Sequence, residues 1–130
     1  MEIAIDFDGT IVRNRWPKIG RLRFLAIPVI KWLKKRGHEL ILYTCREGKL
    51  LESACFFLGV HGIEFKYCNK NTEERIAKHG GDCRKISADL YLDDKALFPG
   101  WWIVPLVVLW IEWREKRKAK SAAKDEQAFT

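Results

Sequence analysis

Short apolar runs take turns with amphipathic stretches along this chain, and each run stops at a polar cluster. Glu2 to Phe7 reads as a strand ending at Asp6-Phe7-Asp8, and Leu22 to Arg36 has helical spacing closed by Gly37. His38 to Cys45 reads as a second strand, which runs into Thr44-Cys45-Arg46. Helical spacing returns from Lys49 to Leu58 and stops at Gly59 or Gly62; Ile63 to Asn69 is a third strand. A polar helix opens near Thr72, with Glu73 and Glu74 in the first turn, where the helix dipole favours acids. Ala88 to Leu92 is a fourth strand that meets Asp93-Asp94. Beyond Phe98-Pro99-Gly100, Trp101 to Val104 suits a short fifth strand, and Pro105 suits the first turn of a helix reaching about Ala119. Residues 121–130 are polar and read as a disordered tail outside a domain of residues 1–120.

This alternation predicts an α/β fold, a Rossmann-like parallel sheet of about five strands with helices on both faces. The 130 residues suffice for one core of that kind. In such a sheet the loops leaving the carboxyl ends of the strands gather where ligands bind. Asp6 and Asp8, Thr44 and Arg46, and Asp93 and Asp94 all leave strand ends, so six sequence-distant polar residues are expected in one place. Asp6 and Asp8 also share a face of an extended chain, which calls for a cation, a proton on one of them, or a solvated loop that separates them. Mg²⁺ suits such a cluster, because it takes one or two carboxylates together with waters and a phosphate oxygen.

Asp6-Phe7-Asp8-Gly9-Thr10, a strand-end Thr44, a basic residue near Lys85 and an apolar strand closed by Asp93-Asp94 together resemble the four motifs of the haloacid dehalogenase-like (HAD) phosphohydrolases. The likeness spans residues 6 to 94 and is nearest to small bacterial members without a cap domain. It implies a Mg²⁺-dependent phosphatase that works through an aspartyl-phosphate. Asp6 is then the nucleophile and a metal ligand, and Asp8 the general acid and base, with its backbone carbonyl on the metal. Thr10 steadies Asp8 beside the substrate, Thr44 donates to a phosphoryl oxygen, and Lys85 balances charge, with Arg84 the alternative cation. Asp94 or Asp93 supplies the direct metal carboxylate, the other acting through water. Arg46 either binds substrate phosphate or pairs with Glu47 or the acidic cluster. A nucleotide or nucleic-acid-end phosphatase is the second enzymatic reading, and a HAD-fold protein that binds phosphate without turnover is the reading from another class.

Composition adds three points. The spacing of Cys45, Cys55, Cys68 and Cys83 fits neither a zinc site nor a C-x-x-C pair, so reduced thiols in a cytoplasmic protein are expected, and no secretory leader is visible. The net charge of +7 is uneven: Arg13 to Arg36 holds nine basic residues and no acid, which favours an anionic substrate at an uncapped site, one open to large or nucleic-acid-derived substrates. Residues 101–113, rich in tryptophan, fall short of the roughly 20 apolar residues of a membrane span. They predict a homo-oligomer formed through the carboxyl-terminal helix.

Overall fold

The computed structural model describes residues 1–129. In chain order its elements are β1 (Glu2–Ile5), β2 (Val12–Arg15), β3 (Lys18–Leu22), α1 (Ala26–Lys35), β4 (Glu39–Leu42), α2 (Gly48–Val60), β5 (Tyr67–Cys68), α3 (Glu73–His79), β6 (Leu90–Leu92) and α4 (Val104–Ala128). A four-stranded sheet of order β5-β4-β1-β6 is parallel throughout, and β2 and β3 form a separate antiparallel hairpin. The fold is therefore α/β with a Rossmann-like parallel sheet, of four strands instead of about five. The absent strand is the one expected at Trp101–Val104, where residues 101–103 make turns and Val104 opens α4. A four-residue apolar run has too little periodicity to separate a strand from a helix start, and Pro105 in the first turn favours the helix.

The order places β1 in the interior, between β4 and β6. All four residues of β1 are buried, as the near-continuous apolar run requires of a strand covered on both faces. Register aligns Tyr67, Ile41, Ala4 and Tyr91 in one row across the sheet, and Ile86 and Ala88 pack in the same cluster. Ala4 is small where two large rings share its row. Ile3, Ile5, Leu40 and Leu42 alternate onto the other face and are buried, each contributing about 1.5 to 3 kcal/mol by leaving water. In α1 the buried positions are Ala26, Val29, Ile30 and Leu33, the stripe expected of an amphipathic helix. Phe7, just past β1, meets Phe57 of α2 edge-on, with ring centroids 6.2 Å apart.

The amino edge of the sheet is tied by polar side chains. Thr72 Oγ1 donates to Glu2 Oε1 at 2.6 Å, and Arg75 donates from Nε to Glu2, from Nη1 to Ser87 and from Nη2 to Asp89. Asn71 donates to Asp82 at 2.8 Å and accepts the Ser87 N–H at 2.6 Å. The segment that leads into β6 is thereby fastened beside the start of β1.

A second compact unit begins at Gly100, so the boundary falls after Pro99 and not at residue 120. Its helix, α4, continues past the expected end near Ala119 and takes in residues 121–128, in place of the expected disordered tail. From Lys116 to Ala128 there is neither Gly nor Pro, and Ala, Lys, Glu and Gln dominate, so nothing in the sequence stops the helix. Val104 and Val108 are buried, whereas Leu106, Leu109, Trp110 and Trp113 form an exposed stripe. Arg114 and Arg117 lie over the rings of Trp110 and Trp113, at 4.9 and 4.8 Å. Among the described residues no helix is long and apolar enough to cross a membrane.

Candidate functional site

Because β1 and β6 are neighbouring parallel strands, the residues that follow them meet. The Asp6 N–H donates to Leu92 O at 2.9 Å, and one carboxylate oxygen each from Asp6, Asp93 and Asp94 lies within 4.8 Å of the others. Two features close this cluster. Thr10, fully buried, donates from Oγ1 to Asp6 Oδ2 and accepts the Asp94 N–H, both at 2.9 Å. It joins the turn after β1 to the turn after β6, and so steadies Asp6 and not Asp8 as the motif implies. Gly9 has φ +91°, and a Cβ there would stand 2.4 Å from Asp94 Oδ2. Only glycine lets that carboxylate come so near the chain.

Burial, with smaller contributions from Asp93 and Asp94, pushes the Asp6 carboxyl up to about 7, against the Thr10 hydroxyl and the Phe7 N–H, which oppose the shift. Near neutral pH, Asp6 without a cation is therefore far more readily protonated than an ordinary aspartate. Three oxygen donors converging in this way could hold a hard divalent cation such as Mg²⁺ or Ca²⁺. Lys95 is the ammonium beside them: its Nζ is 3.9 Å from Asp94 Oδ2 in an exposed ion pair, and its N–H donates to Asp93 Oδ1 at 2.9 Å.

Asp8 faces a different partner. Arg46 Nε and Nη2 donate to its two carboxylate oxygens, both at 2.7 Å. The Arg46 side chain is wholly buried; its remaining donors bond Pro17 O and Lys18 O at 3.1 Å, and its guanidinium carbon lies 5.2 Å from the ring centres of Phe7 and Trp16. Of the two roles open to Arg46, pairing within the acidic cluster is the one the geometry displays. The guanidinium links the loop after β1 to the turn of the β2–β3 hairpin. Arg23 anchors the same loop by donating to Gly9 O at 2.7 Å.

Thr44 follows β4, one strand away. Its N–H donates to Asn69 Oδ1 at 2.8 Å, and its Oγ1 accepts the Arg46 N–H at 3.2 Å. Accepting that bond leaves its hydroxyl proton for donation. Asn69, with φ +51°, also donates to Arg46 O and so aligns the two loops. Arg84 and Lys85 are placed differently from the expectation. They lie in the segment that enters β6 at the sheet's amino edge, both exposed, with Lys85 Nζ 5.9 Å from the Tyr91 ring centre. Sequence order alone does not tell which edge of a sheet a residue near a strand occupies. Sequence reasoning does not single out Asn69, Arg23 or Lys95; the positive-φ turn at Asn69 is the one that a polar cluster closing a strand could have signalled.

No protein-family model matches the chain, and no curated protein matches it. Among solved structures, a conserved protein coded by a locus of Bacteroides thetaiotaomicron is similar, with 42% sequence identity and a TM-score of 0.72 over 80% of this chain and 85% of that chain.

Proposed function

The chain belongs to the same family as that conserved Bacteroides thetaiotaomicron protein, and on this scaffold we propose that it is a Mg²⁺-dependent phosphatase acting through an aspartyl-phosphate. The observation that carries the proposal is the meeting of Asp6 with Asp93 and Asp94 at the ends of adjacent parallel strands, in the order that the HAD-like motifs have. Bound there, Mg²⁺ would offset the negative charge of carboxylates and substrate and hold Asp6 deprotonated.

In this reading an Asp6 oxygen attacks phosphorus while the bond from phosphorus to the ester oxygen breaks. Thr10 orients the nucleophile by its hydrogen bond to Asp6 Oδ2. Asp8, protonated by the proton it kept from the water of the preceding turnover, delivers that proton to the leaving oxygen, then takes one from the water that displaces Asp6 from phosphorus. To do so it must release one of its two bonds to Arg46, which makes Arg46 a positioning residue for the acid. The Thr44 hydroxyl donates to a phosphoryl oxygen. Lys95 is the ammonium that the fold sets beside the acids, and it takes the charge-balancing part expected of Lys85 or Arg84.

The engagement of both Asp8 oxygens by a buried guanidinium favours a second reading, a protein that binds Mg²⁺ and phosphate without turnover. Release of inorganic phosphate from glycerol phosphate, acetyl phosphate, nucleotides and phosphopeptides, with and without Mg²⁺, separates the two. A phosphatase releases phosphate only with the metal and loses that activity in Asp6→Asn. Phosphate release unchanged in that variant would sink the covalent route, and no release from any substrate would leave the binding protein.

A further inference from the structure

The hairpin after the first motif presents chemistry that the phosphatase reading does not use. Its turn carries Trp16, 51% exposed, although one side of the ring faces the guanidinium of fully buried Arg46 at 5.2 Å. Arg46 is held in turn by Asp8, Pro17 O and Lys18 O, so the ring rests on a fixed cation with the remainder open to solvent. The Trp16 N–H donates to Asn14 Oδ1 at 3.2 Å, which ties down the backbone of the turn as well. A single guanidinium separates this ring from the carboxylate of Asp8.

The hairpin's own charged side chains are all of one sign. Arg15 and Lys18 are directly opposite each other in the hairpin, and Arg13 and Arg21 add two more exposed cations. Like charges facing each other across strands destabilise a hairpin. No acidic residue occurs between Asp8 and Glu39, so the sequence of this segment supplies no local counter-ion. An exposed indole preset against a cation, beside several exposed basic side chains, is a combination that binds nucleotides: the base stacks and the phosphates neutralise.

We propose that the β2–β3 hairpin is a nucleotide-binding platform. The base of the ligand stacks on Trp16, Arg15 and Lys18 hold its outer phosphates, and its terminal phosphate reaches toward Asp6, Asp93 and Asp94. Hydrolysis of that phosphate rests on the phosphatase reading; stacking and charge neutralisation do not. The shared chemistry is a phosphorylated nucleobase compound, from either a mononucleotide or the end of a single strand.

The test uses the whole chain carrying Asp6→Asn, so that ligands stay intact, with Mg²⁺ present. Binding is measured for a nucleoside 5′-monophosphate, a 5′-phosphorylated single-stranded oligonucleotide and ribose 5-phosphate, which keeps the phosphate and sugar but lacks the base. Both base-bearing ligands bind at least about tenfold tighter than ribose 5-phosphate, Trp16→Ala removes that advantage, and Trp16→Phe restores most of it. An equal advantage for the two identifies mononucleotides as the source; a larger one for the oligonucleotide identifies a strand end. For the oligonucleotide, Arg15→Gln with Lys18→Gln lowers the slope of log affinity against log salt by about 0.7 for each phosphate left without its cation. That double variant alters only exposed side chains and carries the test if Trp16→Ala fails to fold. Ribose 5-phosphate bound as tightly as the nucleotides, or a base advantage that survives Trp16→Ala, overturns the platform. Phosphate release from glycerol phosphate by the unmodified chain reports on the other proposal: hydrolysis without base preference removes only the platform, and base-dependent binding without hydrolysis removes only the phosphatase.

Discussion

Arg46 and Asp8 form a two-point ion pair in which the guanidinium has no solvent exposure and both carboxylate oxygens accept bonds of 2.7 Å. A pair of this kind contributes less by its presence than it costs when broken, because either partner alone is a charge out of water.

Arg46→Met keeps the length of the side chain and removes every donor. It leaves Asp8 and the hairpin carbonyls of Pro17 and Lys18 without their partner, and it is expected to cost about 3 to 5 kcal/mol in urea unfolding. Tryptic cleavage at Arg13 or Arg15 should accelerate in parallel, because the turn loses its anchor. A loss below about 1 kcal/mol, with unchanged cleavage, would show that other contacts hold the hairpin.

Asp6 gives the metal-free protein a distinctive pH dependence. Its folded pKa of about 7 lies above the ordinary value of 3.8, so across that interval the native state holds more protons than the unfolded chain. The contribution of this group to stability is then fully present below about pH 4 and is lost as pH rises toward 7. Urea midpoints taken in chelator from pH 5 to 8 should fall more steeply for the unmodified chain than for Asp6→Asn. Millimolar Mg²⁺ should flatten the difference, since a bound cation favours the ionised carboxylate. Parallel profiles in chelator would contradict the buried environment assigned to Asp6.

Gly9→Ala joins two faults, a side chain at φ +91° and a Cβ 2.4 Å from Asp94 Oδ2. The strained backbone should cost about 1 to 3 kcal/mol. Displacement of Asp94 should weaken Mg²⁺ binding about 10- to 100-fold by titration calorimetry, as removal of a supporting group does in other metal sites. Unchanged metal affinity would place Asp94 outside the site.

The thiols should react in two classes. Cys45 and Cys83 are exposed, whereas Cys68 is pushed up to about 11 by burial and by Cys55, its sulfur neighbour at 3.9 Å. Alkylation at pH 8 followed by mass spectrometry should label Cys45 and Cys83 first and Cys68 last. Early labelling of Cys68 would refute the order.

The acidic cluster is legible in the sequence because each of its members ends an apolar strand, and strand ends in a parallel sheet have only one place to go. The hairpin is not. Val12-Arg13-Asn14-Arg15 and Lys18-Ile19-Gly20-Arg21-Leu22 offer few apolar positions, and what stabilises them is a guanidinium contributed from position 46. The misplacement of Lys85 has a related cause: its position follows from Asn71 and Arg75, which bind the segment leading into β6, and long-range polar ties of that sort leave no local pattern. At the carboxyl end, the polar run that begins at residue 121 resembles a tail, although helix propensity there is high and decides the outcome up to Ala128.

The sheet order also constrains when the acidic cluster can assemble during synthesis. β1 is made well before β6, yet it pairs with that strand on one side, some eighty-five residues later, so one edge of Ile3–Ile5 stays unpaired until residues 90–92 have emerged. A ribosome adding about 5 to 20 residues per second leaves that apolar edge open for several seconds, as a template for wrong partners. The same delay keeps Asp6 apart from Asp93 and Asp94 until the residues after β6 have been made. A nascent chain therefore gains its acidic cluster and loses its sticky edge in one event, the docking of β6.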